Sequence, residues 1–222
     1  MDQKNCDFLN KSIERLYEKF DLKNAIQKKY GSFAISFIFN DKVIKFTISE
    51  DDAINSYNIS KYKDDDIINV ISVNKYKLED ETDWIYIIVM ERAFPLNHNE
   101  KKCIINFLSS EINLNDRTIN GEFFKPIELI DGSELNNTFI LSWQFSNLPY
   151  NFLIRVSKKF NCESAIYDLI ECYKKLNEMG FAHDDVHRYN IMKNKHGKVC
   201  LIDYGIGYSY YKDENVPELN IQ

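Results

Sequence analysis

Long apolar runs, glycine and proline are scarce in this chain of 222 residues, which has seven glycines and four prolines. Its longest apolar stretch, 84–90, is far shorter than the ~20 residues that a membrane-spanning helix needs. The polar N-terminal sequence MDQKNCDFLNKS also lacks the apolar region of a secretory signal peptide. We therefore expect no membrane insertion and a cytoplasmic location, including the cytoplasm of a host cell if the protein is injected or viral.

The chain also lacks a basic patch and a cysteine framework. Its net charge is −6 with acids and bases interspersed, so we predict no nucleic-acid partner. The five cysteines are odd in number, widely spaced and without a C-x-x-C motif. This pattern predicts buried, unpaired thiols in a reducing compartment and no disulfide framework. They are Cys6, Cys103, Cys162, Cys172 and Cys200.

The chain does have enough apolar content, 44%, to form the core of one domain or two small lobes. Hydrophobic periodicity predicts helices over 8–29 with a break near Asp21, and over 50–62, 100–112 and 163–179. Period-two alternation and apolar runs predict strands over 34–39, 42–48, 67–76 and 84–90, the last at the centre of a sheet. Strand-like pieces at 123–130 and 138–145 predict a hairpin, and the acidic run 64–66 predicts a solvated turn.

The most informative stretch is 181–205, FAHDDVHRYNIMKNKHGKVCLIDYG. It places His183, Asp185 and Asn190 in the order H-x-D-x-x-x-x-N, followed by Asp203 in D-Y-G. Phosphoryl transfer needs a carboxylate that accepts the proton of the attacking hydroxyl, and Asp185 can supply it. It also needs hard oxygen ligands for Mg²⁺, which Asn190 and Asp203 can supply. A hairpin predicted between them would bring Asn190 back towards Asp203.

On these motifs the chain resembles the eukaryotic-like protein kinase family. The resemblance implies a catalytic role for Asp185, with Lys45 of Val43-Ile44-Lys45 holding the phosphates of ATP and with Mg²⁺ bound by Asn190 and Asp203. It further implies that nucleotide is covered by the turn Gly31-Ser32-Phe33. At the other end of the cleft it assigns a gatekeeper residue and two backbone groups that bind adenine: Met90, Glu91 and Ala93.

The resemblance also implies the fold. We expect an α+β, bilobal protein-kinase-like fold with a β-rich N-lobe and a shortened helical C-lobe. A single domain would cover 1–222, with an N-terminal helix over 1–29, the N-lobe and hinge over 30–93, and a reduced C-lobe over 94–222. An insertion of about 113–151, within 96–151, is expected inside the C-lobe.

Four departures from the family pattern bear on function. Lys29 and Ala34 stand where further loop glycines are usual, and the acidic partner of Lys45 is not evident, so Glu50, Asp51 and Asp52 all stay candidates. Asp184 replaces the arginine that pairs with a phosphorylated activation loop. His187 is more like the corresponding residue of sugar and lipopolysaccharide kinases. Only 17 residues follow Gly205, which is similar to minimal effector or viral kinases.

The sequence therefore supports three hypotheses. The first is a minimal Ser/Thr protein kinase that uses ATP and Mg²⁺ and phosphorylates a host or partner protein docked on 96–151. The second is a small-molecule or sugar kinase of the lipopolysaccharide type. The third is a pseudokinase that binds without turnover.

Overall fold

In the computed structural model the placement of residues 3–78, 82–109, 158, 163–183, 189–205, 207–209 and 215–219 is described. The predicted strands at 123–130 and 138–145, the catalytic-loop residues 184–188 and most of the predicted insertion lie outside these ranges. The α+β class is confirmed, with an antiparallel sheet in the N-terminal part and helices beside it. The proposed division into 30–93 and 94–222 stays a prediction.

The N-terminal part is built on a five-stranded antiparallel sheet in the order β1-β2-β3-β5-β4. Its strands are β1 (Gln27–Tyr30), β2 (Ala34–Ile38), β3 (Lys42–Thr47), β4 (Val70–Tyr76) and β5 (Ile85–Glu91). Strand β5 lies between β3 and β4, as its unbroken apolar sequence predicts. Strand β1 was not predicted, because its sequence QKKY is polar and all four residues are exposed.

The first helix, α1 (Gln3–Leu16), covers one face of the sheet. Its apolar stripe packs against the side chains of β2, β3 and β5 in one cluster that includes Leu9, Ile13, Leu16, Ile35, Phe37, Phe46 and Ile87. The helix predicted over 8–29 is therefore wrong beyond Leu16. The break predicted near Asp21 is present: Asp21 has a left-handed backbone (φ 49°) and precedes a short 3-10 helix, Leu22–Asn24, which leads to β1.

The second helix, α2 (Glu50–Ser60), covers the opposite face. Ser49 caps its N-terminus, since the Ser49 side chain accepts a hydrogen bond of 3.2 Å from the Asp52 N–H. Ala53 and Ile54 of α2 pack with Val73 and Ile88 of the sheet. The sheet is thus sandwiched between α1 and α2.

The C-terminal part supplies two further helices and two small β-ladders. They are α3 (His98–Ser109), α4 (Glu163–Glu178), the ladder of β6 (Phe181–His183) with β9 (Gly207–Ser209), and the hairpin of β7 (Ile191–Lys193) with β8 (Val199–Leu201). Gly180 follows α4 with a positive φ of 79°, the left-handed conformation predicted for a residue that ends a helix. The buried face of α4 packs on β8. The chain continues from α4 through Gly180 into β6 and the site region.

The acidic run 64–66 forms the predicted turn and Asp65 is exposed there, but the Asp64 and Asp66 carboxylates are half-buried and paired with lysines. The Asp66 carboxylate lies 2.5 Å from Lys198 Nζ, and the Asp65 carbonyl accepts a hydrogen bond of 2.6 Å from Asn194 Nδ2. Asp64 lies 3.8 Å from Lys175 Nζ of α4. The run therefore anchors the connection between α2 and β4 to the β7–β8 hairpin and to α4.

The segment 215–219 lies along the outer edge of β4 in parallel orientation, and we call it the edge segment. Lys75 of β4 donates its N–H to Pro217 and accepts from the Leu219 N–H, both at 2.8 Å. Val216 is buried in the cluster on the α2 side, and Leu219 packs on the α1 side. The edge segment therefore contributes to both faces of the sheet.

Two further expectations concern the cysteines and the membrane. Cys172 and Cys200 are buried thiols as predicted, but Cys103 is disulfide-bonded to a partner outside the described residues. Spacing along the chain does not reveal which distant cysteines meet in space, so the prediction of unpaired thiols is wrong at Cys103. The cysteines therefore no longer support the inference of a reducing compartment. None of the helices in the described part has the length and apolar character needed to cross a membrane.

Candidate active site

Lys45 lies near the middle of β3 and points to the α2 side of the sheet. Its Nζ atom is 2.6 Å from Asp52 Oδ2 and 2.8 Å from Asp203 Oδ1. Asp203 is 158 residues further along the chain. The structure thus brings together two of the predicted site residues, Lys45 and Asp203, and adds a third, Asp52.

Of the three candidate acids on α2, Asp52 is the partner of Lys45. Because Ser49 fixes the start of α2, Asp52 falls on the buried stripe of the helix together with Ser56 and Ile59, at i, i+4 and i+7. Glu50 instead accepts a hydrogen bond of 3.1 Å from the Tyr86 hydroxyl of β5. No spacing in the sequence selects Asp52 over Asp51, since Asn55 and Asn58, at i+4 and i+7 from Asp51, are buried as well.

The ion pairs fix the charges of this site. Burial alone would lower the pKa of the Lys45 amine, but the Asp52 and Asp203 carboxylates raise it above its ordinary value. Burial raises the pKa of Asp52 and exceeds the opposing effect of Lys45. Burial also acts to raise the pKa of Asp203, but Lys45 and the Gly205 N–H outweigh it and lower that pKa. Lys45 is therefore cationic and Asp203 anionic at neutral pH.

The loop 203–205 is shaped for a close approach to α2. Asp203 has a positive φ of 64°, a conformation that costs a residue with a side chain about 1–3 kcal/mol and that occurs at functional sites. A Cβ atom on Gly205 would lie 3.3 Å from Asp203 Oδ1 and 3.3 Å from Asp52 Cγ. A side chain at this position would therefore be in tight contact with both carboxylates, which would have to shift slightly.

Ile202 connects the two ends of the predicted catalytic loop to Asp203. The His183 Nε2 atom lies 3.0 Å from the Ile202 carbonyl, and the Ile202 N–H donates to the Asn190 carbonyl at 2.8 Å. His183 is fully buried. Asn190 therefore lies beside the residue that precedes Asp203, on the strand pair predicted to bring them together. Asp185 itself lies outside the described residues, and its role stays a prediction.

Tyr204 joins this loop to α2 and to β4. Its side chain is 1% exposed, and its hydroxyl donates to the Ile68 carbonyl at 3.0 Å. Its own carbonyl accepts a hydrogen bond of 3.0 Å from Asn55 Nδ2 of α2. Neither Asn55 nor this use of Tyr204 was predicted, because both depend on a contact between residues 149 positions apart.

The predicted gatekeeper Met90 shares a face of the sheet with Lys45. Val43 is directly opposite Met90 in the β3–β5 ladder, and Val43 and Lys45 point to the same side because they are two residues apart. Ser36 of β2 is opposite Lys45 on that side. The predicted turn 31–33 connects β1 to β2, and its Phe33 side chain is 61% exposed.

The predicted hinge leaves β5 next to the β7–β8 hairpin. Phe94 exchanges two backbone hydrogen bonds of 2.7 Å with Lys193. The Glu91 side chain accepts from Lys195 at 2.7 Å and from Asn69 at 3.2 Å, which together lower its pKa despite its burial. Within the described ranges, no hydrogen bond involves the backbone N–H of Ala93.

Comparisons with known proteins gave only distant structural similarity. No family model and no curated protein matches the chain. A co-crystal structure of WbdD with the kinase inhibitor LY294002 is similar over 83% of this chain and 33% of that one, with 15% identity and a TM-score of 0.40. A structure of WbdD described as a bifunctional kinase-methyltransferase gives 80% and 30%, 16% identity and a TM-score of 0.34. The chain thus spans about a third of the length of these two structures.

Proposed function

We propose that the protein is an ATP- and Mg²⁺-dependent phosphotransferase. The observation that carries the proposal is the position of the Lys45 amine between Asp52 and Asp203. A cation held in place by a buried carboxylate is suited to bind phosphate oxygens, and a neighbouring carboxylate that is 48% exposed is suited to bind a metal. Asp203 comes from a segment 158 residues further along the chain than Lys45, which supports a common role.

The donor set fits Mg²⁺. Asp203 offers a carboxylate and Asn190 an amide, and hard oxygen ligands of this kind are those that Mg²⁺ prefers. Among the described residues no cluster of three or more His, Cys, Asp or Glu side chains could hold a metal alone. This agrees with a metal bound by one or two protein ligands together with phosphate oxygens and water. When bound, the metal would neutralise the charge that develops on the phosphates.

Adenine would bind on the same face of the sheet as Lys45, next to Val43 and Met90. Val43 and Met90 form a pair of apolar side chains on the Lys45 side of the sheet. The Ala93 N–H is placed just after β5, at the position that the family resemblance assigns to adenine recognition. The turn 31–33 would close over the phosphates, although Lys29 and Ala34 make it less accommodating than a glycine-rich loop.

Asp185 would orient the acceptor hydroxyl and take up its proton. General-base catalysis of this kind contributes about 10²–10⁴-fold to a rate. We propose this role on the basis of the motif. The hydrogen bonds of Ile202 to His183 and to Asn190, which hold both flanks of the loop, support it. The acceptor oxygen attacks the γ-phosphorus, the bond to the ADP oxygen breaks, and the proton passes to the carboxylate.

Two classes of acceptor remain as proposals. A Ser/Thr side chain of a host or partner protein docked on 96–151 is the first, and most of that docking region lies outside the described residues. The second is a small molecule or sugar, which the resemblance of His187 to the corresponding residue of sugar and lipopolysaccharide kinases supports.

Transfer of ³²P from γ-labelled ATP tests the proposal and separates the acceptors. Wild-type protein is incubated with Mg²⁺ and either a cell lysate or a panel of sugars and small alcohols, and label is followed in protein bands and in small-molecule fractions. We expect activity to fall at least 10²-fold in Lys45→Met, Asp185→Ala and Asp203→Ala. Full activity in Asp203→Ala would contradict the metal assignment.

The same variants separate an enzyme from a pseudokinase. A pseudokinase would show a rise in melting temperature with Mg-ATP, which Lys45→Met removes, but no phosphate release and no label in any fraction. Absence of both binding and turnover in the wild type would overturn the proposed function itself.

A further inference from the structure

The contacts around Lys45 form a closed ring. From Lys45 the ring runs to Asp52, along one turn of α2 to Asn55, across a hydrogen bond to the Tyr204 carbonyl, and through one peptide unit to Asp203, which returns to Lys45. The ring therefore has two links between α2 and the loop 203–205. One is the charged link through Lys45, and the other is the neutral link through Asn55.

The hydrogen bond between Asn55 and Tyr204 is buried. The Asn55 side chain is 4% exposed, and its Nδ2 atom lies 3.0 Å from the carbonyl of Tyr204, which is itself fully buried. The Tyr204 ring is held from the other side by its hydroxyl bond to Ile68 and by edge-to-face contacts with Phe181 and His183. Since the ring of Tyr204 cannot move easily, the Asn55 amide fixes α2 relative to the loop.

On the basis of the proposed function, we propose that Asn55 is a positioning residue that holds Asp52 and Asp203 at the same amine by joining α2 to the Tyr204 carbonyl. A charged link alone leaves the loop free to follow the long, flexible side chain of Lys45. The neutral link removes that freedom.

Asn58 provides a matched control on the same helix. It is also a buried asparagine, 8% exposed, but its Nδ2 atom donates to the Ile54 carbonyl within α2 at 3.0 Å. Alanine is the best helix former, so Asn55→Ala and Asn58→Ala both keep the propensity of α2. Only Asn55→Ala removes a link to the loop 203–205.

The first measurement needs no ATP. Brief treatment of the nucleotide-free protein with an amine-acetylating reagent, followed by mass spectrometry, gives the labelling rate of Lys45. In the wild type this amine has two carboxylate partners and its side chain is 14% exposed. We expect a severalfold faster rate in Asn55→Ala and in Asn55→Asp, which keeps the size of the side chain but loses its donor. We expect the wild-type rate in Asn58→Ala.

The second measurement separates positioning from stability. Loss of a residue that orients a metal ligand typically costs about 10–100-fold in metal affinity or activity. We therefore expect Asn55→Ala to require a Mg²⁺ concentration at least about tenfold higher for half-maximal transfer, with little change in the KM for the acceptor. Asn58→Ala should keep the wild-type Mg²⁺ dependence.

The outcomes of the two proposals are distinguishable. Wild-type labelling of Lys45 and wild-type Mg²⁺ dependence in folded Asn55→Ala would overturn the positioning role while the phosphotransferase stands. Unfolding of both Asn55 variants at 25 °C would also overturn it, since Asn55 would then hold the fold as a whole. Faster labelling in Asn55→Ala with no transfer by the wild type would support the positioning of Lys45 and overturn the proposed function.

Discussion

The Lys45 amine joins two carboxylates that differ in exposure, since the Asp52 side chain is 4% exposed and the Asp203 side chain 48% exposed. Among the described residues, the Oδ1 atom of Asp52 has no hydrogen-bond partner. Asp52 therefore depends on Lys45 for the stability of its charge, whereas Asp203 can also be solvated. Loss of the Lys45 amine should therefore destabilise the charged form of Asp52 more than that of Asp203.

Lys45→Met should lower stability as well as activity. Removing one partner of a buried ion pair costs about 3–5 kcal/mol, because the other charge stays buried without compensation. The double variant Lys45→Met/Asp52→Leu should regain most of that free energy of unfolding and still transfer no phosphate. Urea unfolding of the two variants measures the difference. A Lys45→Met protein as stable as the wild type would show that the pair adds nothing to folding.

Lys42→Met is a suitable control for this experiment. Lys42 lies on the same strand, and its amine is 5.5 Å from the Phe39 ring centroid, where no carboxylate depends on it. We expect its free energy of unfolding to stay within roughly 0.5 kcal/mol of the wild type. Its transfer activity should also be retained.

Tyr86 should make stability depend on pH in the alkaline range. Burial and the neighbouring Glu50 carboxylate raise the pKa of Tyr86 from 10.0 to about 12. Below pH 10 the phenol is neutral in folded and unfolded chains alike. Between pH 10 and about 12 the unfolded chain ionises first, so the free energy of unfolding falls.

The Tyr86→Phe variant isolates this effect. The difference in stability between wild type and variant should be constant from pH 7 to 9 and should then change in favour of the variant as the pH rises. Urea unfolding at a series of pH values gives the two curves. Parallel curves up to pH 11.5 would show that Tyr86 titrates normally.

Asn194 should be important for the connection between the β7–β8 hairpin and the run 64–66. It is 2% exposed, donates to the Asp65 carbonyl, and accepts from the His196 and Lys198 N–H groups at 2.9 and 3.1 Å. Asn194→Ala leaves these groups without their partner, and we expect a loss of about 2 kcal/mol in the free energy of unfolding.

An asparagine on the surface provides the comparison. Asn24 is exposed and bonds only to Asp21 in the adjacent turn. Asn24→Ala should change the free energy of unfolding by less than about 0.5 kcal/mol. Equal effects of the two substitutions in chemical denaturation would contradict the anchoring role of Asn194.

The edge segment should protect β4. Val216→Ala removes two buried carbon atoms, which costs about 1.5 kcal/mol at roughly 0.8 kcal/mol for each buried CH₂. Because the Lys75 N–H donates to Pro217, its amide hydrogen should exchange faster in the variant. Hydrogen exchange followed by mass spectrometry detects this. Glu218→Ala, at an exposed position, should leave the exchange unchanged.

Short-range patterns in the sequence were sufficient to predict most elements. The alternation in 34–38 and 42–47 gave β2 and β3, and the apolar run ending at Met90 gave the central strand β5. Hydrophobic periodicity gave α2 and α4, the latter through the stripe Ala165, Leu169 and Leu176. Each of these signals lies within a short stretch of sequence, so no contact between distant residues has to be known.

The missing parts depend on contacts between distant residues. Strand β1 has no apolar face, and it is a strand because β2 offers it a hydrogen-bonding edge. Asp64, Asp65 and Asp66 resemble a solvated turn until the lysines that approach them from the hairpin and α4 are known. The Lys45–Asp203 proximity, in contrast, could be predicted from the family resemblance, whereas the choice of Asp52 among the three acids of α2 required the structure.

Residues 215–219 cover the outer edge of a sheet whose five strands all belong to the first half of the chain. On the ribosome, β4 leaves the exit tunnel roughly 140 residues before them, at a synthesis rate of about 5–20 residues per second. For several seconds a nascent chain therefore presents an open β-edge, the kind of surface that recruits chaperones or pairs with a neighbouring chain. The yield of native protein should accordingly be more sensitive to translation speed and to chaperone supply than that of a chain whose sheet is complete from its own first half.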